Sequence, residues 1–255
     1  MIPATRQQEL IQAANTLLDA RRTSTPIADL PPNLIPQSQE EAYFVQDTMA
    51  QAYGPVGGWK VGAASPTATP IFAPMPTAWI ATNNATLVGN RFRAVEAEIA
   101  FLIGHDLPPR TEPYTRQELT AAIASCHPAI EVLELALIDH TTANKFSAMA
   151  DMQMHGGFVY GAPVPNWQSI NFAAETATLS IEGVVRVERT GSNPGGTDLL
   201  RLMLYLANEG APRTGGLKKG DWITTGSWTG NTVAPAHSTV DAHFTTAGRV
   251  TLKFA

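Results

Sequence analysis

An α+β fold is predicted from three observations on the 255-residue chain. Helical spacing is concentrated at the N-terminal end. Strand-like segments dominate from about residue 57 onward. The two later helical stretches do not alternate with strands in the regular way a doubly wound sheet requires. The chain is read as one domain over 1–255, with a helical region at 1–56 and a β-rich core at 57–255.

The elements follow in order. From Arg6 to Arg22, helical spacing puts Leu10, Ala13, Ala14, Leu17 and Leu18 on one side. The Pro-rich "TPIADLPPNLIP" is a connector. A second helix is expected from Ser38, where Ser38 and Glu41 form a capping box ahead of Ala42, Tyr43, Val45 and Met49. "YGPVGG" ends it. The expected strands are "GWKVGAA", "EAEIAFLIG", "FVYGAPV", "TATLSIEGVVRVER", "DWITTGSW" and "GRVTLKF". A third helix is signalled by "TRQELTAAIASC", capped by Thr115 and Glu118 and expected to end at Pro128. A fourth runs from near Thr197 to Gly210.

Composition narrows the function classes. Charged residues make up 15% and hydrophobic residues 44%, which suits a packed core rather than a disordered chain. The formal net charge of -5 lacks the basic footprint that nucleic-acid binding requires. The single cysteine, Cys126, excludes an intrachain disulfide or a Cys-based zinc site. No apolar run approaches the ~18 residues of a membrane span, and the N-terminus carries no apolar signal core. A cytoplasmic protein with no nucleic-acid or membrane partner is expected.

The chemistry is sought in "RAVEAEIAFLIG". On a strand, residues i and i+2 share a face, so Glu96 and Glu98 project together while Val95, Ala97, Ile99 and Phe101 face the core. Two carboxylates at this spacing repel unless a cation lies between them or one is protonated. A hard divalent ion suits such ligands. The alternative is a strand with one solvated face. Glu131 in "HPAIEVLELAL" is a third acid on an apolar segment, and three glutamates would fill half an octahedral shell. The alternative there is an amphipathic helix with Glu131 and Glu134 on its wet side.

Other residues stand beside these. Lys60, between Trp59 and Val61, is a candidate acid, base or carboxylate clamp, or a lysine that snorkels to water. Ser227 and Thr229 in "TTGSWTGN" suit an anionic ligand or a plain turn. "GSNPGGTD" lacks a P-loop lysine and reads as a helix cap. Asp241 and His243, with His237 nearby, form a polar strand face or a zinc site. Adjacent Cys126 and His127 carry little weight as a nucleophile–base pair. No G-x-S-x-G elbow is present.

In this order, "QSQEEAYFVQDTMA", "GGWKVGAAS", "VEAEIAFLIGHDL", "PAIEVLE", "ADMQMHGGFVYG", "LKKGDWITTGSWTG" and the closing "VDAHFTTAGRVTLKF" resemble the fumarylacetoacetate hydrolase superfamily. The branch resembled is that of the 2-oxopent-4-enoate (2-hydroxypentadienoate) hydratases and 4-oxalocrotonate decarboxylases. The resemblance implies a mixed β-roll core holding Mg²⁺ or Mn²⁺ through Glu96, Glu98 and Glu131. It implies an active-site lysine at Lys60 and an aspartate at Asp151 that orients it or a water. It implies a turn at Ser227 and Thr229 that holds a substrate carboxylate.

The chain departs from that pattern in three places. "TPIFAPMPTAWI" lacks the acid of the usual Gly-Val-Asp-Gln-Pro segment, Met152 replaces an Asn, and "LELAL" replaces an Asp-Ser-Arg. The substrate pocket is therefore expected to differ, with Phe72, Met75 and Trp79 lining it. The resemblance implies a metal-dependent lyase that adds water to a 2-hydroxydienoate through a dienolate. Alternatives on the same scaffold are decarboxylation of a vinylogous 2-oxo acid and C–C hydrolysis of an acylpyruvate. An alternative of another class is a non-catalytic subunit that binds a 2-oxo acid. A homo-oligomer is implied, as is a hydratase–decarboxylase hetero-complex.

Overall fold

Strand β5 (Ala94–Ile103) organises the molecule, because its two faces do different work. Val95, Ala97, Ile99 and Phe101 enter the main hydrophobic core, as their alternation predicts. Glu96, Glu98 and Ala100 take the other face. The computed structural model describes residues 2–89 and 91–255; Met1 and Asn90 lie outside the described residues.

Helices α1 (Ala4–Arg22) and α2 (Gln39–Tyr53) come first. Ser38 caps α2 by accepting the Glu41 N–H, while the Glu41 carboxylate reaches Arg6 and the Gln37 N–H instead of closing a reciprocal box. The strands are β1 (Val56–Gly62), β2 (Ile71–Pro76), β3 (Ile80–Thr82), β4 (Ala85–Leu87) and β5. Helix α3 (Arg116–Ala122) leads into β6 (Ile123–Leu133), and α4 (Lys145–Ala150) into β7 (His155–Tyr160). The hairpin β8 (Thr176–Ile181) and β9 (Val184–Thr190) precedes α5 (Leu199–Tyr205). The chain closes with β10 (Trp222–Ser227), β11 (Thr232–Val233), β12 (Thr239–Phe244) and β13 (Gly248–Phe254).

The strands form two sheets. One has the order β2-β1-β10-β5-β6-β7-β3, with β11 also on β5; the other is β4-β13-β12-β8-β9. Both are mixed: β1 with β10, β3 with β7 and β4 with β13 are parallel, and the other pairs are antiparallel. Between the sheets, the core-facing residues of β5 share one hydrophobic core with Ala177 and Leu179 of β8, Val240, Ala242 and Phe244 of β12, and Val250 and Leu252 of β13. The N-terminal helices build a second core from Leu10, Leu17, Val45 and Met49 with Ala136, Ala150 and Met152. This α+β architecture is the expected one.

One boundary differs. The third helix stops at Ala122, and Pro128 lies inside β6. Ile123–Leu133 pairs along β5, with Pro128 opposite Ile99. Pairing with β7 begins only at Ala129, and the Pro128 carbonyl still accepts the Gly161 N–H at 2.8 Å, so the missing N–H breaks little of the ladder. The strand reading of Glu131 is the correct one. No helix among the described residues is long and apolar enough to cross a membrane.

Candidate metal centre

Sheet register builds the centre. Glu96 on β5 lies directly opposite Glu131 on β6, and Glu98 lies two residues further along β5. Carboxylate oxygens of the three approach within 4.8 Å of one another. Among the described residues, no other group of three His, Cys, Asp or Glu side chains is so placed. Glu98 is 1% exposed and Glu131 0%.

Lys60 arrives from β1, which pairs with β10 on the far side of β5. Its Nζ lies 2.7 Å from Glu131 Oε1 and donates to the Gln153 carbonyl at 3.0 Å. His155 Nδ1 meets the same Glu131 oxygen at 2.8 Å. A carboxylate can only accept, so Nδ1 carries the proton. Glu131 Oε2 and His155 Nε2 are buried without partners. Glu98 Oε2 accepts from the Thr224 hydroxyl and, at 3.0 Å, from the Gly226 N–H, at a register shift in β10.

The electrostatics follow from crowding. Burial, then the Glu131 charge, pushes Glu96 up to about 7. Burial and both neighbouring carboxylates raise Glu98 well above the usual carboxylate range. Burial would also raise Glu131, but Lys60 and His155 outweigh it and hold the carboxyl down to about 2. Burial lowers His155 despite its bond to Glu131. Burial opposes the charged form of Lys60, yet the three carboxylates outweigh it and raise the ammonium. Three acids facing one lysine leave an excess of negative charge, which favours holding a proton or a cation. Hard oxygen donors and the orphaned Glu131 Oε2 fit a hard divalent ion.

A left-handed turn supports this arrangement. Met152, Gln153 and Met154 have φ of 53°, 47° and 66°. Such conformations cost roughly 1–3 kcal/mol each in non-glycine residues. Arg21 brackets the turn, donating to the Asp151 and His155 carbonyls at 2.8 and 2.7 Å and to the Asp151 carboxylate at 2.6 Å. The Gln153 side chain donates to the Phe72 carbonyl at 2.5 Å. The turn thereby presents the Gln153 carbonyl to Lys60.

The site residues expected from sequence separate into two groups. Lys60, Glu96, Glu98 and Ser227 line one cavity of about 290 Å³, and Glu131 stands behind Lys60. The Ser227 hydroxyl lies beside Glu96 and helps to lower that carboxyl, without forming a well-aligned hydrogen bond. Asp151 is not at the reacting end. Its carboxylate is taken by Arg21 and the Ala136 N–H, so it acts on the site through the backbone of the turn. Thr229 does not face the cavity. Its hydroxyl accepts the Ala97 N–H and donates to the Gly230 carbonyl, tying the turn to β5 between the two glutamates. Phe72 is a core residue stacked on Tyr43, with centroids 4.4 Å apart. Met75 packs with Phe158 and Trp222. Trp79 lines a separate cavity of about 740 Å³ beside α1 and α2. The strand carrying Phe72 puts Ile71 in the metal cavity instead, because neighbours alternate faces.

The remaining candidates fall away. Asp241 bonds Thr251 and Arg249 while His243 is exposed. His127 bonds Ser125 and the Gly161 carbonyl, and burial pushes the Cys126 thiol up to about 12. His155, Gln153, Thr224 and Arg21 were not singled out from sequence. "GSNPGG", read as a helix cap, supplies Asn193 and Pro194 to the cavity wall.

No protein-family model and no curated protein sequence matches the chain. Its fold is nevertheless that of the fumarylacetoacetate hydrolase superfamily. The 4-oxalocrotonate decarboxylase from Pseudomonas putida G7, complexed with magnesium and adipate, superposes with a TM-score of 0.84 at 20% identity, covering 100% of both chains. The same decarboxylase with calcium and acetate gives 0.81 at 19% identity, over 97% of this chain and 98% of that one. A putative fumarylpyruvate hydrolase from Burkholderia cenocepacia gives 0.59 at 15% identity, over 77% and 84%. The fold that the resemblance implies is therefore the fold observed.

Proposed function

We propose that the chain is a divalent-metal-dependent enzyme, a lyase that hydrates a 2-hydroxydienoate. The observation that carries this is the cluster of Glu96, Glu98 and Glu131 with Lys60 bonded to the third. The three glutamates would hold Mg²⁺ or Mn²⁺. When bound, such an ion supplies Lewis-acid stabilisation of negative charge on the oxygens of a 2-oxo acid.

The chain's own groups do the rest. The Ser227 hydroxyl, in the cavity wall beside Glu96, would donate to the substrate carboxylate. Lys60 is the cation lining the cavity, and it holds or moves the proton at the carbon chain. Moving the enol proton to the far carbon of the diene gives a conjugated 2-oxo-alkenoate, to which water then adds. Thr224 and the Gly226 N–H keep Glu98 aimed inward, and the Arg21–Asp151 pair holds the turn that positions Lys60.

Decarboxylation of a vinylogous 2-oxo acid is the second reading. It is favoured by the likeness to the decarboxylase from Pseudomonas putida G7 over the whole chain. Product analysis with Mg²⁺ separates them: hydration yields one hydroxylated product from a 2-hydroxydienoate, and decarboxylation releases CO₂ from a 2-oxo-enedioate, leaving a 2-hydroxydienoate. Unchanged turnover and unchanged Mg²⁺ affinity in Glu96→Gln/Glu98→Gln would end both readings.

A further inference from the structure

We infer that the far wall of the metal cavity selects a 2-oxo acid with an uncharged, apolar tail, and that Ile71 is the specificity-determining residue. This rests on the 2-oxo acid reading above.

Lys60 pairs across β1 and β2 with Ala73, and Gly62 pairs with Ile71. Paired residues share a face, and two residues along a strand advance roughly 7 Å. Ile71 therefore lies on the same face as Lys60, level with Gly62, Gly226 and Glu98, but on the outer strand β2, three strands across the sheet from the carboxylates of β5. It is 39% exposed, as suits a residue at the cavity mouth. Gly62, Ala63, Ala64 and Pro194 are further apolar lining residues. Glu96, Glu98, Ser227 and Lys60 come from β5, β10 and β1, so the apolar end of the cavity is its β2 edge.

Among the described residues, no cation is available at the apolar end. Lys60 is engaged with Glu131 and the Gln153 carbonyl. Arg201, behind the rim, donates to the carbonyls of Ala68, Ser65 and Gly195. Arg189 Nη1 lies 3.9 Å from where a side chain on Gly230 would begin, and neither residue lines the cavity. The Asn193 amide is engaged on both sides, with the Thr225 carbonyl and the Gly195 N–H. A second carboxylate reaching this wall would lose its hydration with no partner and would face three glutamates.

The test is calorimetric binding of two unreactive probes of equal chain length, 2-oxovalerate and 2-oxoglutarate, to the full chain loaded with Mg²⁺. Mg²⁺ binding itself is measured first. Wild type is expected to bind 2-oxovalerate at least about tenfold more tightly. Ile71→Arg, at a partly exposed position, is expected to narrow or invert that ratio. Equal or tighter binding of 2-oxoglutarate by wild type overturns the tail assignment alone. Binding of Mg²⁺ but of neither acid overturns the 2-oxo acid reading beneath it. An unchanged ratio in Ile71→Arg removes Ile71 from the role.

Discussion

Lys60 Nζ and Glu131 Oε1 stand 2.7 Å apart in the interior, and the same oxygen also receives His155. The lysine thus neutralises the carboxylate that an incoming ion would share. Replacing Lys60 by Met keeps the apolar stem and removes the charge. Turnover should fall by roughly 10²–10⁴-fold, the range for loss of a general acid or base. Mg²⁺ affinity should stay the same or rise, because a competing cation has been removed. Parallel assays of turnover and calorimetric ion binding check both; a large loss of ion affinity would contradict this role.

His155 orients Glu131 from behind. Outer partners of this kind are typically worth 10–100-fold in metal affinity. His155→Ala should weaken Mg²⁺ binding by about that factor. His155→Asn should restore most of it, because its amide N–H can replace Nδ1–H. A purely space-filling role predicts no difference between two variants that both leave part of the ring volume empty.

Asp151 and Arg21 form a buried pair at 2.6 Å. Removing one partner of such a pair typically costs about 3–5 kcal/mol, because the other charge is left uncompensated. Asp151→Asn should therefore lower Tm by on the order of 10 °C for a chain of this size. Its effect on catalysis should come through displacement of Lys60, seen as a lower kcat with a smaller change in KM. Thermal melts and steady-state kinetics provide the measurements.

Stability and ion binding should both depend on pH, in stated directions. In the ion-free protein Glu96 is pushed up to about 7 from an ordinary value of 4.5. Between those values the folded state keeps a proton that the unfolded state has released, so stability falls as pH rises through that window. Glu131, held down to about 2, contributes stability that is lost as pH falls from 4.5 toward 2. Saturating Mg²⁺ should abolish the upper loss and leave the lower one. Ion affinity should weaken as pH drops below about 7, with proton release on binding, because a protonated carboxyl is not a ligand. Tm against pH with and without Mg²⁺, and calorimetry in buffers of different ionisation enthalpy, read these effects.

Much of this site was legible in the chain. The alternation around Glu96 and Glu98 is local, and a period of two residues survives whatever the rest of the fold does. Glu131 was ambiguous because Pro128 is compatible with either a helix start or a strand; only the long pairing with β5 decides between them. His155 and Thr224 carried no signal, since a single histidine or threonine on an apolar strand is ordinary. Phe72 and Ile71 are neighbours of similar hydrophobicity. Which of them faces the cavity depends on the face that β1 turns toward β2, and no window of sequence contains that pairing.

The sequence by itself determined the α+β class and the two-faced strand carrying Glu96 and Glu98, because both follow from local periodicity; Glu131 and Lys60 it offered as candidates that only the family resemblance joined to the same site. The tertiary structure alone decided that Glu96 and Glu131 meet in register, and that Lys60 reaches them from β1. It also decided that the Asp151 carboxylate is taken by Arg21 and the Ala136 N–H, and that Ile71 rather than Phe72 lines the cavity. These are relations between segments far apart in the chain, set by sheet pairing and by which buried charges find partners.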